Sequence, residues 1–227
     1  EIQDLVQVFS KIHLSVLPPL GRVRISAPIG TNDETIKLFA IKKIGWVQKQ
    51  IQKFKNQPRQ SEREYVSGES HYLWGRRYKL ELKYTKKANK VEIKAGKLVL
   101  TVREASTQEQ REKIMNEWYR AELKAKLPAL IEKWEEIIGV KVNDFGVKNM
   151  RTKWGTCNVK DKRIWVNLQL AKKPAACLEY IVVHELVHLL EKNHTIAFIQ
   201  YIDKFLPGWR VTKDELNGFI MDKYFEK

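Results

Sequence analysis

The sequence predicts an α+β fold, with strands concentrated in the first half of the chain and long helices in the second half. Apolar and polar residues alternate with period two over 77–84 and 98–102, which is typical of half-buried strands. Residues 107–138 instead carry apolar residues at helical spacing. Because the composition changes near Ser106, we expect a basic, β-rich N-terminal region over 1–105 and a compact second domain over 106–227.

The first half is expected to contain a strand, a helix and a small sheet. Alternation over 21–26 predicts the strand, and Asn32 or Asp33 is a suitable N-terminal cap for a helix that ends near Phe54. Further strands are predicted, in order, at 65–66, 71–73, 77–84, 91–94 and 98–102. Short turns connect the last three of these strands, so we expect an antiparallel meander.

The second half is predicted to be mainly helical, with three short strands after its first helix. Gly139 is expected to end that helix, and Pro128 to kink it or divide it into two. The strands are predicted at 144–149, 154–159 and 164–167, and the later helices at 174–192, 195–205 and 213–224. Asn193 is expected to end the helix over 174–192 in the left-handed conformation.

The charge of the chain is unevenly distributed. The 227 residues include 42 Lys and Arg against 27 Asp and Glu, a net charge of +15. Residues 1–105 carry 21 basic and 10 acidic groups, net +11, whereas residues 106–227 carry 21 and 17, net +4. A basic half of this kind attracts polyanions, so nucleic acid is an expected partner of the N-terminal region, with an ordinary solvated surface as the alternative.

The sequence contains little sign of a membrane-spanning or secretory segment. No apolar run approaches the roughly 20 residues that span a bilayer, so no membrane partner is expected. The first residues lack the basic and apolar segments of a signal peptide, although the chain begins without Met. Cys157 and Cys177 are too few for a disulfide framework. We therefore expect a reducing, cytoplasmic location, with both thiols as small packing residues.

Three of the five histidines fall in one short segment, His184-Glu-Leu-Val-His188-Leu-Leu-Glu-Lys-Asn-His194. His184 and His188 are four residues apart on a predicted helix, so their imidazoles project from one face and can bind one Zn²⁺. Glu185 lies beside them and is suited to take a proton from a metal-bound water. The alternative is a pair of core histidines bonded to backbone, but the apolar surroundings make unpartnered polar groups costly.

The third ligand is less constrained by the sequence. His194 lies beyond the expected end of the helix, where the chain can turn back towards the metal. Glu191 and Glu215 are rivals, but a third ligand on the same continuous helix would strain the coordination. In metzincins, which share this histidine spacing, a glycine makes the turn. Here Glu191 occupies that position, so Asn193 is expected to make the turn, and His194 is the preferred ligand.

These residues predict a hydrolytic mechanism. Three neutral imidazoles leave the zinc ion with its full charge and an open position for water, whose pKa falls to about 7. Glu185 would act as general base and pass the proton to the leaving group. A neutral donor to the oxyanion is also expected, and Tyr201 and Asn193 are the candidates.

Several short blocks of sequence, spread over most of the chain, match the pattern of a known protein family. They are Ser67-Gly-Glu69, Leu73-Trp-Gly-Arg76, Glu117-Trp-Tyr119, Arg151-Thr-Lys-Trp-Gly-Thr-Cys157, Ile164–Leu170, Ile181–Leu190 and Asn193-His194. Together they resemble the YgjP-like family of predicted zinc metallopeptidases, which is related to the SprT-like and WLM peptidases. The resemblance implies a zincin-like domain with an HExxH active-site helix, with His184, His188 and His194 at the metal-ligand positions and Glu185 at the catalytic position.

Two positions depart from the pattern of that family. Lys153 stands where the family has Arg, and Ile199 where it has Trp. Because Lys offers a point charge rather than a bidentate fork, no bidentate contact is expected at this position. For Trp154, Gly155 and Cys157, a structural role beside the active helix is favoured over substrate contact.

Two classes of hydrolase remain open. The first is peptide-bond hydrolysis, by analogy with SprT-like relatives that act on proteins bound to DNA. The alternative is a metal-dependent nucleotide phosphoanhydride hydrolase of the nucleoside triphosphate pyrophosphatase type, although no Walker-type loop is present. A structural zinc site without catalysis has no use for Glu185. An extended peptide would bind by strand addition, and the strand over 164–170 is the expected edge.

Overall fold

The computed structural model describes residues 11–17, 21–56, 63–150 and 152–218. These residues form two compact units, one ending at residue 56 and the other beginning at residue 63. The division lies earlier than the predicted boundary between 105 and 106, because the strands over 70–102 share a core with the long helix that follows them. Among the helices of the described residues, none is both long enough and apolar enough to cross a membrane.

The smaller unit is a two-stranded sheet with one helix. Strand β1 (His13–Leu17) pairs antiparallel with β2 (Arg22–Ser26), and helix α1 (Asp33–Asn56) follows. The side chain of Asn32 accepts a hydrogen bond from the backbone N–H of Glu34 at 2.9 Å, as a helix cap does. The predicted strand and helix are confirmed, whereas β1 was not predicted.

The first sheet of the larger unit contains β3 (Ser70–Leu73), β4 (Arg76–Tyr84), β5 (Lys90–Lys94) and β6 (Lys97–Val102) in the order β3-β4-β6-β5. Because β4 and β6 are parallel, the predicted antiparallel meander is wrong. Strand β6 lies between β4 and β5 in the sheet. Its residues Leu98, Val99 and Leu100 are all buried, which requires cover on both faces of the strand. Strand β5 leaves Lys90 and Lys94 exposed, as an edge strand can.

Helix α2 (Gln108–Ile138) is a single element with well-defined ends. Thr107 and Gln110 form a capping box, in which each side chain accepts a hydrogen bond from the backbone N–H of the other. Gly139 ends the helix in the left-handed conformation, as predicted. Pro128 does not divide the helix, because Leu123 and Leu127 on the same helix are fully buried in the core and hold it in place.

The second sheet contains β7 (Asp144–Lys148), β8 (Gly155–Asn158) and β9 (Arg163–Asn167) in the order β7-β9-β8. The predicted edge strand over 164–170 is therefore wrong: β9 is the inner strand, and β8 is an edge. The reason is burial, since Ile164 and Val166 are almost fully enclosed. A 3-10 helix (Leu168–Lys172), which Asn167 caps, takes the place of the end of the predicted strand.

Three helices complete the larger unit: α3 (Ala175–Val187), α4 (Ile196–Phe205) and α5 (Trp209–Gly218). Helix α3 ends earlier than predicted, with His188 as its C-terminal cap. The N–H groups of Leu189 and Leu190 bond to carbonyls three residues back, which forms a tight final turn. Asn193 does not have a positive φ, so the predicted left-handed stop is wrong. The predicted end of α5 at 224 lies outside the described residues.

Candidate active site

Helix α3 positions two of the predicted site residues, His184 and Glu185, close to its C-terminal end. The helix is apolar on nearly all sides, and most of its side chains are buried. Such a helix must lie in the core. Its polar residues are therefore held by packing on every side, which fixes the direction of each side chain.

The structure brings His184, His188 and His194 together. One ring nitrogen from each of the three lies within 4.8 Å of the others. The Nε2 atoms of His184 and His194 are 3.0 Å apart. Among the described residues, this is the one group of three or more His, Cys, Asp or Glu side chains that could hold a metal ion.

The segment after α3 and the start of α4 orient these rings. His188 Nδ1 lies 3.2 Å from the backbone oxygen of Glu191. Because a carbonyl only accepts, Nδ1 must carry the proton, and Nε2 is left free to bind a metal. Phe198, which is buried in the first turn of α4, has its ring centroid 4.7–4.9 Å from those of all three histidines. Its ring thus forms an apolar wall beneath the cluster.

The two rival ligands are not part of the cluster. Glu191 Oε1 instead accepts a hydrogen bond from the backbone N–H of Asn193 at 3.0 Å, which stabilises the turn towards His194. Glu215 lies on α5, and its charge adds to the effect of burial in raising the pKa of the Cys177 thiol. Neither carboxylate belongs to the group of converging nitrogens.

The electrostatic surroundings favour neutral imidazoles. Burial, together with the neighbouring His188, His194 and Lys213, lowers the pKa of His184 to about 3. Burial also lowers the pKa of His188, although the hydrogen bond with the backbone oxygen of Glu191 raises it. Neutral imidazole is the form that binds a metal, because its lone pair is free.

Glu185 is buried beside the cluster, with only 4% of its surface exposed. Burial raises the pKa of its carboxyl to about 8, and nearby Lys153 acts in the opposite direction. The side chain lies against Gly155 of β8, where an added Cβ would stand 2.5 Å from Glu185 Oε1. The sequence placed Gly155 beside the active helix, but the close approach to Glu185 could not be read from it.

A cleft of about 810 Å³ opens over the cluster. Its walls include β8, the C-terminal half of α3 and part of α5. His184, Glu185, His188 and His194 all line it, so the four predicted site residues face a common space. No strand of the described residues pairs with the outer side of β8, so its backbone groups there are available for pairing with an extended chain.

A family model for a YgjP-like metallopeptidase domain matches residues 11–219 of the chain. The chain belongs to the YgjP-like metallopeptidase family. Among curated proteins, no sequence match is found. Two solved structures are similar to part of the chain: the zymogens of the metallopeptidases abylysin from Pyrococcus abyssi and jannalysin from Methanocaldococcus jannaschii. They share 20% and 22% sequence identity, with TM-scores of 0.36 and 0.35, and each match covers 39% of this chain and 89% of the other.

The cleft of this YgjP-like domain contains a further polar residue that sequence reasoning missed. Tyr180, one helical turn before His184, lines the cleft, and its ring centroid lies 5.9 Å from those of both His184 and Trp209. Burial raises the pKa of its phenol to about 12, so the hydroxyl stays protonated. The two predicted oxyanion donors, Tyr201 and Asn193, are not among the residues that line the cleft. The four-residue spacing of Tyr180 from His184, which places both on one helical face, could have indicated this position from the sequence.

The two cysteines of the YgjP-like domain are free thiols. Cys177 is fully buried in α3, and Cys157 lies half-buried on β8, where it lines the cleft. Burial raises the pKa of both thiols to about 11, so neither forms a reactive thiolate near neutral pH. Both residues therefore serve as small packing groups, as predicted.

Proposed function

We propose that this YgjP-like protein is a zinc-dependent peptidase in which His184, His188 and His194 hold the metal and Glu185 is the general base. The observation that carries the proposal is the convergence of three imidazole nitrogens beside one buried carboxyl group, in a cleft bordered by an edge strand. Family membership supports the same class of reaction.

The donor set fits zinc. Three imidazoles with no carboxylate ligand match the preference of Zn²⁺ for nitrogen donors and leave one coordination position for catalysis. The hydrogen bond from His188 Nδ1 to the Glu191 carbonyl is the outer contact that zinc-binding histidines usually make. A harder ion such as Mg²⁺ would prefer oxygen ligands, which this cluster does not offer.

The protein side chains supply the remaining chemistry. A bound Zn²⁺ provides Lewis acidity, which polarises a substrate carbonyl and lowers the pKa of water. Burial raises the pKa of Glu185 to about 8, and the positive charge of a zinc ion held beside it would favour the ionised form that a general base needs. The carboxylate would accept a proton from the attacking water and then donate it to the leaving nitrogen. Tyr180 remains protonated and donates a hydrogen bond within the cleft, where negative charge develops on the substrate oxygen.

Strand β8 supports a peptide as substrate. The strand lies at the edge of its sheet and along the cleft, so an extended peptide can pair with its backbone. Pairing would bring the scissile bond past Glu185, since Gly155 of β8 lies against that carboxylate. A nucleotide gains nothing from such an edge.

A nucleotide phosphoanhydride is the second candidate substrate, because several lysines line the cleft. The same general base would serve in attack on a phosphoryl group. Binding of nucleic acid by the basic residues 1–105 also stays a prediction, as does a cytoplasmic location. A gel-shift assay at increasing salt would test the first of these two.

The proposal is tested by the metal content of three purified proteins: wild type, His194→Ala and Glu185→Gln. We expect one zinc ion per chain in wild type and in Glu185→Gln, but not in His194→Ala. Casein hydrolysis in the same samples should be present in wild type and lost in both variants. Nucleoside triphosphate hydrolysis, measured in parallel, would identify the second candidate if it appeared alone.

Two results would contradict the proposal. Zinc retained by His194→Ala would remove this histidine from the ligand set. Wild-type casein hydrolysis that persists in Glu185→Gln would show that another group takes the proton.

A further inference from the structure

Four lysines line the cleft and form what we call the lysine rim: Lys153, Lys160, Lys192 and Lys213. Two of them flank β8 in the sequence, one follows α3, and one lies on α5. All four are exposed. Positive charge from separate parts of the chain is thus gathered around one cleft, which the uneven charge of the sequence did not reveal.

The one carboxyl group among the described residues that line the cleft with the lysine rim is the buried Glu185, whose pKa burial raises and Lys153 lowers. Some exposed lysines elsewhere in the larger unit are paired: Lys83 and Lys97 share Glu81. None of the four rim lysines makes an ion pair with a described side chain, although Lys213 Nζ lies 5.1 Å from the centre of the Trp209 ring. Cationic charge without an internal partner is available to a bound anion.

The remaining groups of the cleft add little negative charge. Glu185 is the single carboxyl group among the lining residues, and it is buried at the base of the cleft. A concave surface with four ammonium groups concentrates the electric field, which attracts anions and repels cationic substrates. A neutral or basic peptide would gain nothing from this arrangement.

Strand β8 relates the lysine rim to a bound peptide. Lys153 precedes β8 and Lys160 follows it, so a peptide paired with this edge passes both ammonium groups. The four residues of β8 span about 13 Å at about 3.3 Å per residue. Acidic side chains within a few residues of the scissile bond would therefore reach the rim.

We propose that the lysine rim selects peptide substrates that carry Asp or Glu on both sides of the scissile bond. The inference rests on the proposed peptidase function and adds its substrate class. Nucleotide phosphates share the anionic chemistry, but they do not use the edge strand between Lys153 and Lys160. The experiment below distinguishes acidic peptides from nucleotides as ligands of the rim.

The experiment measures binding to zinc-loaded Glu185→Gln, so that no substrate is consumed. Two fluorescent peptides of equal length are compared by anisotropy, one with Asp and Glu around the central bond and one with Asn and Gln. We expect the acidic peptide to bind about tenfold more tightly, and this preference to shrink as NaCl rises from about 0.05 M to about 0.5 M.

The matched variants are Lys160→Glu and Lys124→Glu in the same background. Both change the net charge equally, but Lys160 lines the cleft, whereas Lys124 lies exposed on α2 and does not. We expect Lys160→Glu to abolish the preference for the acidic peptide and Lys124→Glu to retain it. Thermal unfolding checks that both variants are folded. If Lys160→Glu does not fold, Lys160→Gln is measured in its place.

The outcomes separate this inference from the proposed function. Equal binding of the two peptides, or equal losses in Lys160→Glu and Lys124→Glu, would overturn the role of the rim, even if the wild type cleaves casein. If wild type hydrolyses nucleoside triphosphates but no peptide, the proposed function fails, and the inference fails with it. Selective loss of the acidic peptide in Lys160→Glu would support the inference.

Discussion

At the scale of single residues, the contact between Gly155 and Glu185 sets the position of the proposed base. A methyl group at Gly155 would lie 2.5 Å from Glu185 Oε1 and 2.8 Å from Ile181 Cγ2. Gly155→Ala should therefore displace the carboxylate while leaving the three histidines in place. We expect kcat for peptide hydrolysis to fall by about 10- to 100-fold, with one zinc ion still bound per chain.

Gly45→Ala is the matched control for this substitution. Gly45 lies in α1, and an added Cβ there would meet nothing within 4 Å. Its activity and zinc content should equal those of the wild type. Full activity in Gly155→Ala would show that β8 adjusts to the extra methyl group and that Glu185 is not held by this contact.

His71 provides a prediction about pH and stability. The ring is 1% exposed, and its Nε2 atom lies 3.1 Å from Glu69 Oε2. Burial and the positive charges of Arg63 and Lys172 lower the pKa of His71 to about 4, while Glu69 opposes this shift. The folded protein therefore resists protonation of a group that the unfolded chain protonates near pH 6.5.

Stability should decrease as the pH falls from about 6.5 to about 4, because the unfolded state then binds the additional proton. In His71→Gln this linkage is removed, so the variant should lose about 1–3 kcal/mol less than the wild type over this range. Urea unfolding of both proteins at several pH values, in the presence of a chelator, measures the difference. Parallel pH profiles would show that His71 is not held neutral in the folded protein.

At the scale of elements, the interior of α2 contains an exposed proline. Pro128 has no N–H, so the carbonyl of Lys124 lacks its helical donor. Pro128→Ala should raise the free energy of unfolding by about 1–3 kcal/mol, because alanine restores the donor and relieves the ring. The increase should be visible as a Tm higher by several degrees.

Lys124→Ala, at an exposed position one turn earlier, is the control and should change stability by no more than about 0.5 kcal/mol. A lower Tm for Pro128→Ala would mean that the core around α2 depends on the local bend at the proline. Activity should be unaffected in both variants, since neither residue lines the cleft.

The elements also differ in how well the sequence predicted them. Helix α2 was predicted nearly to its ends, because Thr107 and Gly139 act on the adjacent backbone and leave a local signal. The order of the strands was not predicted: β6 lies between β4 and β5, and β9 lies between β7 and β8. Strand order depends on which strand is buried on both faces, and short alternating segments do not encode their neighbours.

At the scale of the whole molecule, a bound metal would connect the end of α3 to the segment before α4. The three proposed ligands come from these two regions, and an ion that binds only the folded state stabilises it by mass action. Removal of zinc by a chelator should lower the free energy of unfolding by about 4 kcal/mol if free zinc was about 1,000-fold above its Kd. The corresponding decrease in Tm is about 10 °C.

Return of one equivalent of zinc should restore the original Tm, and His194→Ala should unfold near the temperature of the metal-free wild type whether or not zinc is added. If chelation removed zinc without any change in Tm, the metal would not join these regions in the folded state. Calorimetry with and without chelator makes the measurement.

The sequence by itself determined the chemical identity of the candidate site. The spacing of His184 and His188, the adjacent Glu185 and the nearby His194 are local features, because a helix places residues four apart on one face whatever surrounds it. The same reasoning could rank His194 above Glu191 and Glu215, but it gave the wrong end for α3 and the wrong conformation for Asn193.

Only the tertiary structure decided the surroundings of that site. The close approach of Gly155 to Glu185, the position of Tyr180 in the cleft and the gathering of the lysine rim join residues that are distant in the chain. The tertiary structure also decided that β8 is an edge strand. These contacts follow from competition among strands and helices for burial in one core, and that competition is settled by the whole chain rather than by any single segment.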